Sequence, residues 1–410
     1  MSKTKVTVVL GLAFMLAITM VIIPGCKQEA VETTAVETTA AETTAAPETT
    51  AAETTAAALV HSNIDEFTKI SDTVDLKSYY AEYGVTCDVT ITGTGGVVTV
   101  AGLPKTLPTP NEKYTIGLAL YYTVDEVGAF VLEGTQKAAE EMGIELLVND
   151  ANYDQNIQDQ AIEQWILQGV DGVIFYPADF NACGPILDKL KAEGIPVMAG
   201  NPPLTPSEVV SVMTIDNVAI GQGGAQLIID KLNEQGTPLE GTVIFQNIPF
   251  LHPNAATRKA GFLEVMAKYP LIKVIELTGL SPEDHYTAFE GALQAHPDMI
   301  AAWGLYSSAV VGMANAKKAA GRDDIILTGV DQDRPILAGI YDGTITGTVG
   351  YAPYHHAYWT LDNLINILNG VTDVPGQIIG PIETVTKDNV EEMFEYYYGG
   401  RTLQDYLKGQ

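Results

Sequence analysis

The chain has 410 residues, a formal net charge of -29 and a pI near 4.4. Its length accommodates about two or three domains. The acidic balance excludes nucleic acid as a partner and disfavours a polyanionic substrate, because phosphates are neutralised by an excess of lysine and arginine that this chain does not have.

Residues 1–25 read as an export signal: Lys3 and Lys5 give a positive start, and residues 6–23 are almost wholly apolar. That run is long enough to span a bilayer, so an uncleaved anchor is the competing reading. Ile23-Pro24-Gly25-Cys26 decides between them, because it resembles the bacterial lipobox, in which the cysteine is lipidated and becomes the first residue; Pro24 departs from the usual pattern. Acyl chains on Cys26 would hold the protein on a membrane surface. Residues 26–58 form a disordered tether in which Glu-Thr-Thr recurs from Glu32, Glu37, Glu42, Glu48 and Glu53. It has no periodic apolar face, cannot offset its chain entropy by burial, and is extended by its spaced like charges.

Residues 59–112 form an N-terminal extension. Within it, residues 85–100 (VTCDVTITGTGGVVTV) read as two short strands about a Gly-rich turn, either an edge hairpin on the main fold or a small separate module. Pro104, Pro108 and Pro110 then stiffen a connector. Cys87 and Cys183 read as free, packed thiols, and no Cys/His spacing resembles a metal site. Adjacent His355 and His356 would point to different sides of a helix. Neither a metal nor another cofactor is expected.

From residue 114 short apolar runs alternate with helical patterns. The runs fall at 115–120, 145–148, 172–176, 196–199 and 209–213, and again at 242–245, 273–277, 299–303, 325–330 and 345–349. Val127, Val131, Gly134, Ala138 and Met142 share one helical face, and helical patterns at 255–268, 288–295, 309–320 and 335–341 fill the second half. This rhythm implies an α/β fold of parallel sheets wound on both faces, divided into two sheets of about five to six strands. Residues 325–331 (IILTGVD) form the organising stretch: a strand buried on both faces that ends at Asp331. Asp333 is placed to cap the following helix, and Pro335 suits its first turn. Ligands of open α/β sheets bind at that carboxyl edge, although Asp331 could equally cap the turn.

The ordered set of motifs resembles a periplasmic binding protein of the first structural type, in the branch of the ribose- and galactose-binding components of ABC importers. The resemblance is carried by Glu133-Gly134-Thr135-Gln136-Lys137, Tyr176-Pro177-Ala178-Asp179, Gly194-Ile195-Pro196-Val197, Asp216-Asn217 with Gly221 and Gly224, Arg258 with Gly261-Phe262, His296-Pro297-Asp298 and Thr328-Gly329-Val330-Asp331. It implies two doubly wound lobes joined by a three-segment hinge near Asp216, Gly350 and Gly380. Lobe 1 would comprise residues 113–215 and 351–380. Lobe 2 would comprise residues 216–350 and 381–410, with residues 390–407 as a closing helix. Repressors of the lac type share this fold, but they need an amino-terminal DNA-reading helix pair where this chain has a signal and an acidic tether.

The resemblance also implies a pocket. Asp331 matches the family carboxylate that accepts paired sugar hydroxyls. Tyr121 and Asp125 fall after the first strand, Tyr176 at a polar contact, Asn201 where relatives carry aspartate, and Asn254 in a segment that lacks a gripping arginine. Pro202 replaces another such arginine, Tyr306 an asparagine, and Tyr351 a glutamine at the hinge. Such a pocket trades charged forks for flat aromatic faces with one hydroxyl each. It suits a sugar or sugar derivative other than ribose itself, and equally a nucleoside or a cationic amine held by ring faces and Asp331.

No nucleophile–base pair, metal set or dinucleotide loop is legible, so the chain reads as a carrier and not an enzyme, with an orphan hydrolase as the remote alternative. The expected protein is a monomeric, exported, lipid-anchored solute-binding protein whose closed form docks on the permease of an ABC importer. A sensor subunit for a chemoreceptor or kinase is the other class.

Overall fold

The computed structural model describes residues 68–409, apart from residues 101, 125, 250, 251 and 399. The export signal, Cys26, the tether and Asp125 therefore lie outside the described residues. The extension contributes β1 (Thr68–Ser71), α1 (Leu76–Ala81), β2 (Val89–Ile91) and β3 (Val97–Thr99). The first half of the main fold runs β4 (Thr115–Leu120), α2 (Glu126–Met142), β5 (Glu145–Asp150), α3 (Gln155–Gln168), β6 (Gly172–Phe175), α4 (Gly184–Ala192), β7 (Val197–Ala199), β8 (Ser207–Val209) and β9 (Ser211–Ile215). The second half runs α5 (Asn217–Gln235), β10 (Gly241–Asn247), α6 (Pro253–Met266), β11 (Ile272–Thr278), α7 (Pro282–Ala295), β12 (Met299–Gly304), α8 (Ser307–Ala320), β13 (Ile326–Val330), α9 (Arg334–Asp342) and β14 (Gly347–Gly350). The chain closes with α10 (Pro353–Leu368), β15 (Gln377–Gly380), β16 (Glu383–Thr386), α11 (Val390–Tyr397) and α12 (Leu403–Lys408).

Two doubly wound sheets result. The first has eight strands in the order β1-β3-β15-β9-β7-β6-β4-β5, and the second has six in the order β11-β10-β12-β13-β14-β16. Within them only the β1–β3 and β14–β16 pairs are antiparallel. Each sheet is covered on both faces at its centre. Central strands such as β4, β6 and β13 are therefore apolar and buried along almost their whole length, while the edge strands β1, β5 and β11 carry exposed polar residues. Ile116, Leu118 and Leu120 of β4 pack under α2 and α10, while Ala119 joins Val173 and Phe175 on the opposite face. In the second sheet Ile244 and Leu327 face one cluster, and Val243, Phe245 and Ile326 the other. Cys87 and Cys183 are separate buried thiols in one of these clusters.

The chain passes between the sheets three times: from β9 into α5, from β14 into α10, and from β15 into β16. At the first passage Asp216 caps α5, accepting the Ala219 N–H at 2.9 Å. Gly221 of α5 and Gly261 of α6 meet there. A methyl on either would collide with backbone of the opposite helix, Arg258 O for Gly221 and Val218 O for Gly261. Glycine at both positions lets α6 lie close enough to α5 for Arg258 to reach Asn217.

Three expectations change. The first sheet has eight strands and not five to six, because β3 joins β15 in parallel and β1 then adds at the edge. The two strands around the Gly-rich turn do not pair with one another: β2 lies parallel to β8. The turn between them is held elsewhere, Gly93 N–H by Val210 O and Gly95 N–H by Val374 O, each at 2.8 Å, so the strands diverge. The closing helix is two helices, α11 and α12, parted by a turn in which Gly400 has φ +80°. The extension also touches residues beyond the first sheet. The Tyr79 hydroxyl of α1 is hydrogen-bonded by the backbone of Val218 at the start of α5, and the Tyr396 hydroxyl of α11 by the backbone of Gly102.

Helix α10 carries Asp362, 5% exposed, whose Oδ2 accepts the Asn366 Nδ2 amide at 3.1 Å. Burial pushes this carboxyl up to about 7. The folded chain therefore holds the proton more tightly than the unfolded chain. The stability this contributes is full below about pH 4 and is lost as pH rises through about 7. Asp362→Asn should be more stable than the parent at pH 8.5 and lose that advantage at pH 4, measured by chemical denaturation. An advantage of equal size at both pH values would refute the assignment.

Candidate functional site

Strand β13 delivers Asp331 to the carboxyl edge of the second sheet. Its backbone turns into the left-handed region there, with φ +72°. A non-glycine residue held so costs on the order of 1 kcal/mol, which the surrounding bonds must supply. Thr348 Oγ1 donates to its carbonyl at 2.8 Å, and its carboxylate Oδ2 accepts the Ser307 N–H at 3.0 Å. Asp331 thus caps α8, which follows β12, and not the turn after its own strand. It is 6% exposed, and burial pushes its carboxyl up, against the opposing pull of the Arg258 guanidinium and the Ser307 N–H.

Arg258 is itself fixed. Nε donates to Asn217 Oδ1 at 2.8 Å, Nη1 donates to Leu305 O at 3.2 Å, and the guanidinium lies 5.2 Å from the centre of the Tyr306 ring. Asn217 Nδ2 in turn donates to Asn254 Oδ1 at 3.3 Å, so Asn254 sits behind Arg258 as its support. His252 Nδ1 accepts the Asn254 N–H at 3.3 Å and lies 3.2 Å from the Tyr306 hydroxyl. Burial, and then the charge of Arg258, lower this imidazole to about 3, so it is neutral at ordinary pH.

The first sheet presents aromatic faces to this network. Tyr121 follows β4, and Tyr153 is carried by a turn in which Asn152 and Tyr153 both have positive φ, 47° and 60°. The Tyr153 N–H donates to Tyr121 O at 2.7 Å. Its ring centre lies 5.5 Å from that of Tyr121 and stacks at 5.0 Å on Tyr122. Tyr176 stands 6.4 Å behind Tyr121, and its hydroxyl is engaged by Thr360 of α10. Asn201 is half-buried just after β7. Phe180 meets His252 edge-on at 4.8 Å across the gap between the sheets. Tyr351, at the second passage, lies 4.8 Å from His356 of α10. Gly380 at the third passage makes room for that imidazole, since a Cβ there would collide with Nε2.

A second set of contacts crosses the mouth. Glu126 Oε2 accepts the Arg334 N–H and Oε1 accepts Arg334 Nε, both at 2.8 Å. The Tyr398 hydroxyl lies 2.9 Å from Glu126 Oε2 and from Gln332 O, and Phe130 packs edge-on against the Tyr398 ring at 4.8 Å. The expected cap of α9 therefore changes partner. Asp333 occupies the N-cap position but bonds the Ser307 hydroxyl, and the first N–H of α9 is capped by Glu126 from the opposite lobe.

The structure thus brings Asp331, Tyr306 and Asn254 into one network, places Tyr121 in the facing aromatic cluster and Tyr351 at the hinge, and sets Tyr176 behind Tyr121. Sequence reasoning missed Tyr153, Phe180, Glu126 and Gln332. Of these only Gln332 carried a signal, as a polar residue between a strand-end aspartate and a proline-started helix.

Residues 116–372 match the family described as periplasmic binding protein domain. The ribose import binding protein RbsB of Bacillus subtilis is 26% identical over 244 residues, covering 59% of this chain and 77% of that protein. The xylitol-binding protein of Mycolicibacterium smegmatis is 28% identical over 301 residues, covering 70% and 82%. Among solved structures, a solute binding protein from Bacillus halodurans with bound myo-inositol superposes with TM-score 0.63 at 21% identity, covering 70% of this chain and 98% of that one. One from Actinobacillus succinogenes with bound D-allose gives 0.62 at 19%, covering 68% and 100%. Strands β1, β2 and β3 precede the matched region.

The mouth contact yields a test. Charge-assisted hydrogen bonds of this kind contribute on the order of 1.5–3 kcal/mol each when shielded, and less where solvent reaches them. Glu126→Ala should enlarge the radius of gyration of the ligand-free chain in solution scattering, as the lobes part. An unchanged radius would show that the contact does not hold them.

Proposed function

Because this chain belongs to the periplasmic binding protein domain family, we propose that it captures a sugar or sugar derivative between its two lobes outside the cytoplasm and hands it, unaltered, to the permease of an ABC importer. The observation that carries this reading is the buried Asp331 carboxylate, bonded by the Ser307 N–H within the field of Arg258, beside Tyr306, whose hydroxyl feels the charge of Tyr153 from the other lobe. A carboxylate accepts hydroxyl protons in pairs, and tyrosine rings cover the apolar face of a pyranose or polyol. Relatives named for ribose, xylitol, D-apiose and D-xylose support the same ligand class.

We assign residues 113–215 and 351–380 to lobe 1 and residues 216–350 and 381–410 to lobe 2. Asp331, Tyr306, Tyr121 and Tyr351 are the proposed ligand contacts, with Asn254 and Tyr176 as their supports. Ligand selects the closed arrangement because only that arrangement offers both lobes to it at once. The lipobox-like Ile23-Pro24-Gly25-Cys26 and the Glu-Thr-Thr tether support a monomer leashed to the outer face of the cell membrane.

A thermal-shift screen of sugars and polyols tests the ligand class. A compound at a hundred times its dissociation constant should stabilise the chain by about 2.7 kcal/mol, and Asp331→Ala should abolish that shift. Shifts from nucleosides or amines alone would overturn the sugar assignment. Lipidation is tested separately: Cys26→Ser should release the protein from membranes and remove palmitate labelling, and a variant that stays membrane-bound would count against the anchor.

A further inference from the structure

Gln332 follows Asp331 and is 6% exposed. Its backbone carbonyl is engaged by Tyr398, yet neither Nε2 nor Oε1 of its side chain has a hydrogen-bond partner among the described residues. A buried amide with both ends unmatched loses the hydration of a donor and an acceptor and regains nothing from the protein. The side chain does not lie inside a lobe. It lines the crevice between the lobes, beside Asp331, Phe130 and Tyr351. Gly350 at the second passage leaves the room it occupies, because a Cβ there would collide with the amide.

We infer that Gln332 contacts the ligand directly, and that with Asp331 it selects neutral polyhydroxy compounds over sugar acids and sugar phosphates. The inference rests on the carbohydrate reading above and deepens it. A hydroxyl group donates and accepts, and so does a primary amide; Gln332 Oε1 and Nε2 therefore match two neighbouring hydroxyls without adding charge. Asp331 accepts from the hydroxyls beside them.

Charge selection follows from what the nearby cations already do. Arg258 serves Asn217, Leu305 O and the Tyr306 face, and Arg334 serves Glu126. His252 is neutral. Asp331 and Asp333 both line the crevice. A carboxylate or phosphate on the ligand would sit against these acids in a dry, closed space, where like charges repel strongly.

The test is isothermal titration of the full chain with D-ribose, D-xylose, xylitol and myo-inositol, set against D-glucuronate and ribose 5-phosphate. At least one neutral compound should bind, with both anions at least a hundredfold weaker. Gln332→Leu should weaken that neutral compound at least tenfold without lowering the melting temperature of the ligand-free chain. Gln332→Glu, which keeps the shape but removes the donor, should also weaken it and covers the case in which the leucine variant fails to fold. A deoxy analogue that lacks the hydroxyl facing Gln332 should bind the parent as weakly as the full compound binds Gln332→Leu. Full affinity in both variants overturns the role of Gln332 and leaves the carbohydrate reading standing. Tighter binding of either anion overturns the charge selection. Failure of every neutral compound to bind the parent chain overturns both readings together.

Discussion

A carboxylate buried between two lobes has to be answered, and much of this cleft is the answer to Asp331. Moving such a charge out of water costs several kcal/mol unless hydrogen bonds and a counter-charge replace the lost hydration. One N–H at the start of α8 and the field of Arg258 supply part of this. Arg258 then needs its own partners, which draws in Asn217, Leu305 and, one step further out, Asn254. These residues come from α5, the start of α6, the end of β12 and the end of β13. All belong to one lobe, so this half of the site is assembled before any ligand arrives. The remaining acceptor capacity of Asp331 is what a polyol would fill.

The other lobe contributes surfaces more than charges. Its tyrosines are set by backbone at strand ends, including an uncommon pair of left-handed residues at Asn152 and Tyr153. Strain of that kind persists only where neighbours over-determine it, and here the Tyr153 N–H bond to Tyr121 O does so. Between the lobes the hinge has little free volume. Tyr351, His356 and Gly380 pack one against another across two of the three passages, and a side chain larger than glycine at position 380 would meet the imidazole. A hinge built this way would turn at a few backbone torsions of the passages.

The alternation of apolar runs and helical faces makes the two sheets and their winding readable from sequence, because burial on two faces leaves no choice of residue along β4, β6 or β13, whereas the three passages come from the family resemblance. Asp331 is readable for the same reason, as the polar residue that ends such a run. Periodicity carries no information about which strand a neighbour will choose. Residues 89–91 and 97–99 have the pattern of a hairpin, yet one pairs with β8 and the other with β15, partners distant in sequence. The cap of α9 was hidden likewise. A local rule nominates Asp333, whereas Glu126, more than two hundred positions earlier, reaches Arg334 through space. Tyr153 escaped because a turn conformation has no signature in composition, while the position of Gln332 was legible but its missing partner was not.

The two kinds of contact between the lobes divide the work of closure unequally. Glu126 and Arg334 meet at the rim, with side chains 22% and 38% exposed, so solvent partly screens an attraction that still biases the empty chain toward the closed form. Contacts deeper in the cleft are different. The Gln332 amide and the Asp331 carboxylate are unscreened, and closing the lobes without a ligand leaves the amide unmatched, which opposes closure. On the proposed reading, a ligand in place would make the same groups favour it. The differential affinity between open and closed forms would then reside in the buried groups, whose incompleteness in the empty protein would let a small solute shift the balance.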